Sequence, residues 1–171
     1  VPSALRDNFV ENLTKFTDSK YSVYGAKNEK SSKYIDEKDD SDYSIISYDM
    51  FRKDPDGIIE NTGADTLIID EIHRSRDESG ATYSALTKAT EKFKNVLTLT
   101  GSMVNNDPTE IVNLLDVTYG KKKHPLISKN YFDKAFISRV AKTHGFINPV
   151  VETHNSIKNK PQLRRAIGNL V

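Results

Sequence analysis

The run Asp65-Thr66-Leu67-Ile68-Ile69-Asp70-Glu71-Ile72-His73 constrains this chain more than any other stretch. Thr66 to Ile69 is nearly continuous in apolar residues, the pattern of a central parallel strand covered on both faces. Two adjacent carboxylates end the run, and a histidine follows two residues on. A strand covered on both faces needs helices on each side of a sheet, so the rest of the chain must supply them.

The flanking segments carry the right periodicities. Leu5, Phe9, Leu13 and Phe16 recur at helical spacing over residues 3–16, with Ser3 as the expected N-cap. Lys20 to Tyr24 reads as a short strand and Tyr43 to Tyr48 as a buried one. Between them, residues 27–42 are polar and highly charged, the pattern of a surface loop. Residues 49–60 form a short helix or turn broken at Pro55-Asp56-Gly57. Ala81, Ala85, Leu86, Ala89 and Phe93 predict a helix over 79–93, and Asn95 to Thr100 the next strand.

Asp107 is placed to cap a helix with Pro108 at its first position and Glu110 at its third, a capping box. Ile111, Leu114 and Leu115 form its apolar face. Ser128 to Ile137 predicts another helix with Tyr131, Phe132, Ala135 and Phe136 inward, and residues 160–171 a last one through Leu163, Ile167 and Leu170. Strands separated by helices imply an α/β layer structure with a mostly parallel sheet.

Composition narrows the function classes. The 171 residues make one domain or a large piece of one. No apolar run approaches the roughly 20 residues that cross a bilayer, so no membrane partner is expected. With no cysteine, disulfides, thiolate metal sites and cysteine nucleophiles are excluded, and a reducing, cytoplasmic setting fits. No signal-peptide pattern is present, and a start at Val1 rather than methionine places the natural beginning elsewhere. Few glycines among many Lys, Asn, Asp and Tyr point to an AT-rich bacterial or phage genome. Lys+Arg 25 against Asp+Glu 24 leaves a net charge of +1, so any polyanion must be held by local clusters. The run Lys121-Lys122-Lys123 is one such cluster, although a solvated loop explains it as well.

In an open parallel sheet, ligands gather at the carboxyl ends of the strands. Hydrolysis of a nucleoside triphosphate needs a hard cation held by oxygen ligands and a group that orients and deprotonates water. Asp70 suits the first task and Glu71, pointing differently, the second. Taken alone, an Asp-Glu pair after a strand is commonly a solvated loop start, and a lone histidine a surface or capping residue. The usual partner motif, a glycine-rich phosphate loop ending in Lys-Ser/Thr, is not among these residues.

The ordered set of motifs changes the odds. Asp70-Glu71-Ile72-His73 resembles the second motif of superfamily-two helicases in its Asp-Glu-x-His form. Arg74 and Ser79 follow, much as in Swi/Snf-type DNA-dependent ATPases. Leu97-Thr98-Leu99-Thr100-Gly101-Ser102-Met103-Val104-Asn105-Asn106 resembles that family's third motif, Leu-Thr-Gly-Thr-Pro-Leu-Gln-Asn, and Glu110, Leu114 and Leu115 match the helix behind it. Ser44 to Arg52 resembles the strand ending in Thr-Tyr that precedes motif two. Val1 to Phe9 is similar to the segment in which Pro-x-x-Leu leads to an aromatic residue. Four motifs in family order cover residues 1–137. Ser102 for Thr keeps the hydroxyl, Met103 for Pro loosens the loop, and Asn105 replaces Gln. Residues 138–171 match less well, with Gln162-Leu163-Arg164-Arg165 a faint echo of the family's Leu-Arg-Arg.

The resemblance implies an incomplete RecA-like (P-loop NTPase) lobe over residues 1–171, carrying motifs Ia to III. The phosphate loop would precede Val1, and the second RecA-like lobe with its arginine finger would follow Val171. It implies ATP and Mg2+ as cofactors, with Asp70 as the metal ligand, Glu71 as the catalytic base, and both at the nucleotide. His73 would link this site to Thr100 and Ser102, which pass the link towards DNA, while Thr98 would be structural. Ser3, Ser47, Tyr48, Arg52, Lys53 and Asn105 are the candidates for phosphate contacts on double-stranded DNA. Core packing is an equal reading for Tyr48, and solvation for Arg52 and Lys53.

The whole protein would hydrolyse ATP to move along double-stranded DNA. This chain alone is expected to be inactive, since neither a phosphate cradle nor an arginine finger is among its residues. Loss of the phosphate-loop strand would also expose a sheet edge. Two rivals stand beside this reading: another superfamily-two helicase acting on RNA or DNA, and a non-catalytic DNA-binding or interaction module that retains the lobe. The intact acid pair argues against the second.

Overall fold

The computed structural model describes residues 1–24, 39–102, 107–121, 123–126, 128–144 and 150–168. The acid-bearing strand β3 (Thr66–Ile69) pairs in parallel with β4 (Asn95–Thr98), Thr66 opposite Asn95 and Ile69 opposite Thr98. Upstream, β1 (Tyr21–Tyr24) pairs in parallel with β2 (Tyr43–Ile46). The α/β expectation holds, and these pairs are parallel. They differ from the expected single sheet, because β2 and β3 share no ladder and each pair stands alone.

A third pair was not foreseen. Strands β5 (Ile137–His144) and β6 (Val150–Ile157) form an antiparallel hairpin, the longest pairing among the described residues. Lys142, His144, Glu152 and His154 interrupt the apolar alternation that would have announced it.

Several helix boundaries move, each for a local reason. Ser3 does not cap: a 3-10 turn (Ser3–Leu5) leads into α1 (Arg6–Phe16) without a side-chain cap, and Ser3 Oγ donates to Asp49 Oδ2 at 3.4 Å. Helix α1 buries no residue fully, and Phe16 is 75% exposed. Residues 49–60 hold two helices, α2 (Tyr48–Lys53) and α3 (Pro55–Thr62). The proline read as a break is a helix start. Asp54 accepts the Gly57 N–H at 2.9 Å, and Gly63 ends the helix in the left-handed region at φ 58°.

Downstream lie α4 (Ala81–Thr90), α5 (Glu110–Tyr119), α6 (Lys129–Phe136) and α7 (Lys160–Gly168). The capping box is not formed. Asp107 Oδ1 takes the Thr109 N–H at 2.9 Å in a turn ahead of α5, and the Glu110 carboxylate faces Arg76. Ser128 caps α6 through the Tyr131 N–H. Phe132 and Phe136 point inward, but Tyr131 stays 46% exposed with its ring edge-on to Phe136. Leu163 is buried, while Leu170 lies outside the described residues.

Among the described residues the apolar core has two parts. Tyr48, Phe51, Ile58, Ile69 and Leu86 belong to one, Leu126, Phe132, Phe136 and Leu163 to the other. Helix α5 serves both, giving Leu114 and Val117 to the first and Ile111, Val112 and Leu115 to the second. On the same helix, Asp116 receives the Tyr83 hydroxyl at 2.9 Å and lies 3.1 Å from His124 Nε2.

Of the expected charged loop, residues 27–38 lie outside the described residues. Asp39 is held by hydroxyl donors from Ser22, Ser44 and Tyr24. The basic run is locally neutralised: Lys121 pairs with Glu78 and Lys123 with Glu91, and Lys122 lies outside the described residues. Among the described residues no helix is long and apolar enough to cross a membrane.

Candidate active site

The carboxyl end of β3 carries the acid pair, and a 3-10 turn (Ile72–Ser75) follows at once. To make that turn Glu71 adopts left-handed backbone, φ 53° and ψ 51°. A residue with a Cβ pays about 1–2 kcal/mol there. Main-chain bonds on both sides hold it: Leu99 N–H to Ile69 C=O at 2.8 Å and Ile72 N–H to Leu99 C=O at 3.0 Å. The ends of β3 and β4 are thereby locked together around Asp70 and Glu71. Neither of these carboxylates is fully buried.

His73 stands between the two strand ends. Its Nδ1 lies 3.1 Å from Thr100 Oγ1 and 3.0 Å from Glu71 Oε2. Thr100 Oγ1 also donates to the Ser102 carbonyl at 3.1 Å and accepts the Ser102 N–H at 3.2 Å. A hydroxyl has one proton. With that proton on the Ser102 carbonyl, His73 is assigned as the donor, carrying its hydrogen on Nδ1. Glu71 Oε2 is within ion-pair distance of that nitrogen but receives no hydrogen bond in the structure. The expected set of Glu71, His73, Thr100 and Ser102 is assembled, with Ser102 joining through its main chain.

Tyr48 braces the site from beneath. It is 7% exposed, and its hydroxyl donates to the Asp70 carbonyl at 2.5 Å. Burial, followed by the nearby Asp70 charge, pushes its pKa well above the usual phenol range, so the hydroxyl stays a donor. Tyr48, one of the candidate DNA contacts, thus has its ring in the core and its hydroxyl engaged. Ser47 is likewise buried, and its Oγ accepts the Met50 N–H at 3.3 Å as the cap of α2. Above them, Ser3 and Arg52 converge on Asp49, which accepts from both. Lys53 is exposed beside them, and Asn105 lies outside the described residues.

Sequence reasoning missed a second brace. Arg76 Nε donates to the His73 carbonyl at 2.7 Å, and its guanidinium pairs with Glu110 at 3.4 Å. The buried Asn113 donates its amide to the Arg76 carbonyl. Together they tie the turn behind the acid pair to α5. Glu110 was legible as a capping residue and as part of the helix behind the third motif, and nothing in the sequence pairs it with Arg76.

Among the described residues no group of three or more His, Cys or acidic residues forms a protein-only metal cage. Two adjacent carboxylates still fit magnesium, which is commonly held by one or two carboxylates together with phosphates and water. A search of curated proteins returned no match. The family model of the SNF2-related domain matches residues 1–168. With that match running from Val1 to Gly168, the chain belongs to the SNF2-related domain family, a family of helicase-like ATPases.

Proposed function

We propose that this chain is part of a RecA-like lobe of a motor that hydrolyses ATP when bound to double-stranded DNA. The observation that carries the reading is the bridge from Glu71 through His73 to Thr100. It joins a proton-accepting carboxylate at the end of β3 to the loop after β4, so one side chain senses both. Asp70 would hold Mg2+, which when bound neutralises charge on the transferring phosphoryl group. Glu71 would accept the proton of the attacking water, the role of a positioned carboxylate base. His73 keeps the Nδ1 proton towards Thr100, and a shift of the Ser102 main chain reaches Glu71 through two contacts.

The DNA-contacting residues in this reading are Ser3, in the turn ahead of α1, and Arg52 and Lys53, in the last turn of α2. Such donors suit phosphate oxygens, which position a motor without reading sequence. Ser47 and Tyr48 support this surface from below. A second RecA-like lobe would complete the nucleotide site.

The test is ATP turnover by the full-length parent protein, with and without double-stranded DNA, for wild type and Glu71→Gln. The expected result is DNA-stimulated turnover that falls at least about a hundredfold in the variant, the lower range for loss of a positioned base. Absence of turnover in the wild type, with DNA binding retained, would overturn the motor reading and leave a binding module.

A further inference from the structure

The turn Ile72–Ser75 behind the acid pair has its main-chain carbonyls taken up by side chains. Ser75 Oγ donates to the Ile72 carbonyl at 2.8 Å. The His73 carbonyl receives two donors, the Arg76 N–H at 3.3 Å and Arg76 Nε at 2.7 Å. Ser75 closes the turn on itself, whereas Arg76 ties it to another element. Its Nη1 lies 3.4 Å from Glu110 Oε2 in the first turn of α5, and Asn113 of the same helix donates to the Arg76 carbonyl. Arg76 is therefore fastened to α5 through side chain and main chain at once.

The surroundings favour these contacts. Asn113 is 1% exposed, and the side chains of Arg76 and Glu110 are 23% and 24% exposed, so salt and water screen the pair less than a surface pair. Arginine suits the position. Its planar guanidinium carries its donors in a fixed fork, so Nε serves a carbonyl while Nη1 faces a carboxylate.

Glu71 gives this fastening its consequence. Its backbone lies at φ 53° and ψ 51°, where a residue with a Cβ is disfavoured. Relaxation to an ordinary φ would swing the carboxylate away from the end of β3 and from His73 Nδ1, 3.0 Å off. The main-chain bonds among Ile69, Ile72 and Leu99 oppose that on the strand side. Arg76 opposes it on the turn side, since the carbonyl it holds lies only two residues beyond Glu71.

We propose that Arg76 is a positioning residue for Glu71, aimed by Glu110 and Asn113. It acts through the His73 carbonyl and not on the nucleotide. Resting on the ATPase reading, this gives Arg76 a share in kcat and none in binding. A reacting group misplaced by about 1 Å costs about a hundredfold in rate, while ATP and DNA keep their own contacts.

The test is ATP turnover by the full-length parent protein with double-stranded DNA. It compares wild type, Arg76→Met, Arg76→Lys, Glu110→Gln, Glu71→Gln and the double variant Glu71→Gln/Arg76→Met, each checked for folding by thermal melting. Arg76→Met is expected to lower kcat by at least about tenfold, with KM for ATP and Kd for DNA changed by less than about twofold. Arg76→Lys keeps a cationic donor within reach of the His73 carbonyl and should regain most of that loss. Glu110→Gln keeps an acceptor for the guanidinium without its charge. It should lower kcat in the same way but less, and it carries the test if Arg76→Met does not fold. Adding Arg76→Met to Glu71→Gln should cost nothing further, because the group it acts through is already gone. Wild-type kcat in the folded Arg76 and Glu110 variants, a raised KM in place of a lowered kcat, or a full additional loss on top of Glu71→Gln would each overturn the positioning role. DNA-stimulated turnover in the wild type would leave the ATPase reading standing in those cases. A wild type without turnover would remove that reading, and this role with it.

Discussion

Replacing Tyr48 with phenylalanine separates two roles that its position in the sequence left open. The ring is 7% exposed and packs in the core with Phe51 and Ile69, so Tyr48→Phe keeps its packing. What goes is the hydroxyl that serves the Asp70 carbonyl. Leaving a buried acceptor without its donor costs about 1–3 kcal/mol, so ~2 kcal/mol is a central expectation. For a chain of this size each kcal/mol moves the melting temperature by about 2–4 °C, giving a drop of about 4–8 °C. Thermal melting and urea titration measure it, and the urea slope should not change because the exposed surface does not. The effect should be equal at pH 6 and pH 9, since burial and the nearby Asp70 charge hold the phenol above its usual pKa. The reasoning fails if Tyr48→Phe melts like wild type and binds DNA more weakly. That result would put the hydroxyl at the nucleic-acid surface.

Three further predictions follow from other parts of the chain. Burial alone would raise the Asp39 pKa, but hydrogen bonds from Ser22, Ser41 and Ser44 bring it down to about 2. With the folded value below the ordinary carboxylate range, this stabilisation is full above about pH 4 and fades as pH falls to about 2. The linkage is ~2 kcal/mol, reduced to ~1 kcal/mol by partial solvation, and Asp39→Ala should flatten that limb of an acid titration followed by circular dichroism. Ser47→Ala removes the cap of α2 and should lower stability by ~1 kcal/mol in urea titration, whereas Ser47→Asp should retain most of it. Phe132, 1% exposed in the second core cluster, should cost about 3–5 kcal/mol as Phe132→Ala in the same assay, while an exposed control, Phe16→Ala, should cost under ~1 kcal/mol.

The parts of the fold legible in the sequence are those written in local periodicity. Thr66 to Ile69 announced a strand, and the apolar spacing over 110–119 and 129–136 announced α5 and α6. Short-range chemistry was readable but ambiguous. Asp54-Pro55 marks a helix start as well as a turn, and Glu110 three residues after Asp107 fits a capping box until Arg76 draws the carboxylate away. The union of Glu71, His73 and Thr100 was legible because a motif carries it. The Arg76–Glu110–Asn113 brace was not, since those partners lie 34 to 37 residues apart with no pattern linking them. The β5–β6 hairpin was missed because charged residues broke its alternation. That β2 and β3 share no ladder depends on which strand edges meet, a long-range fact that residue order does not state.

Helix α5 has a consequence for how this chain comes apart. A helix lodged in one core can fray while a neighbouring core survives. Here Leu114 and Val117 sit in one cluster and Ile111, Val112 and Leu115 in the other, on two faces of the same rod. Withdrawing it opens both at once, so partial unfolding that spares either half has no cheap route. The two halves are mechanically one, and α5 is the axle on which their cooperativity turns.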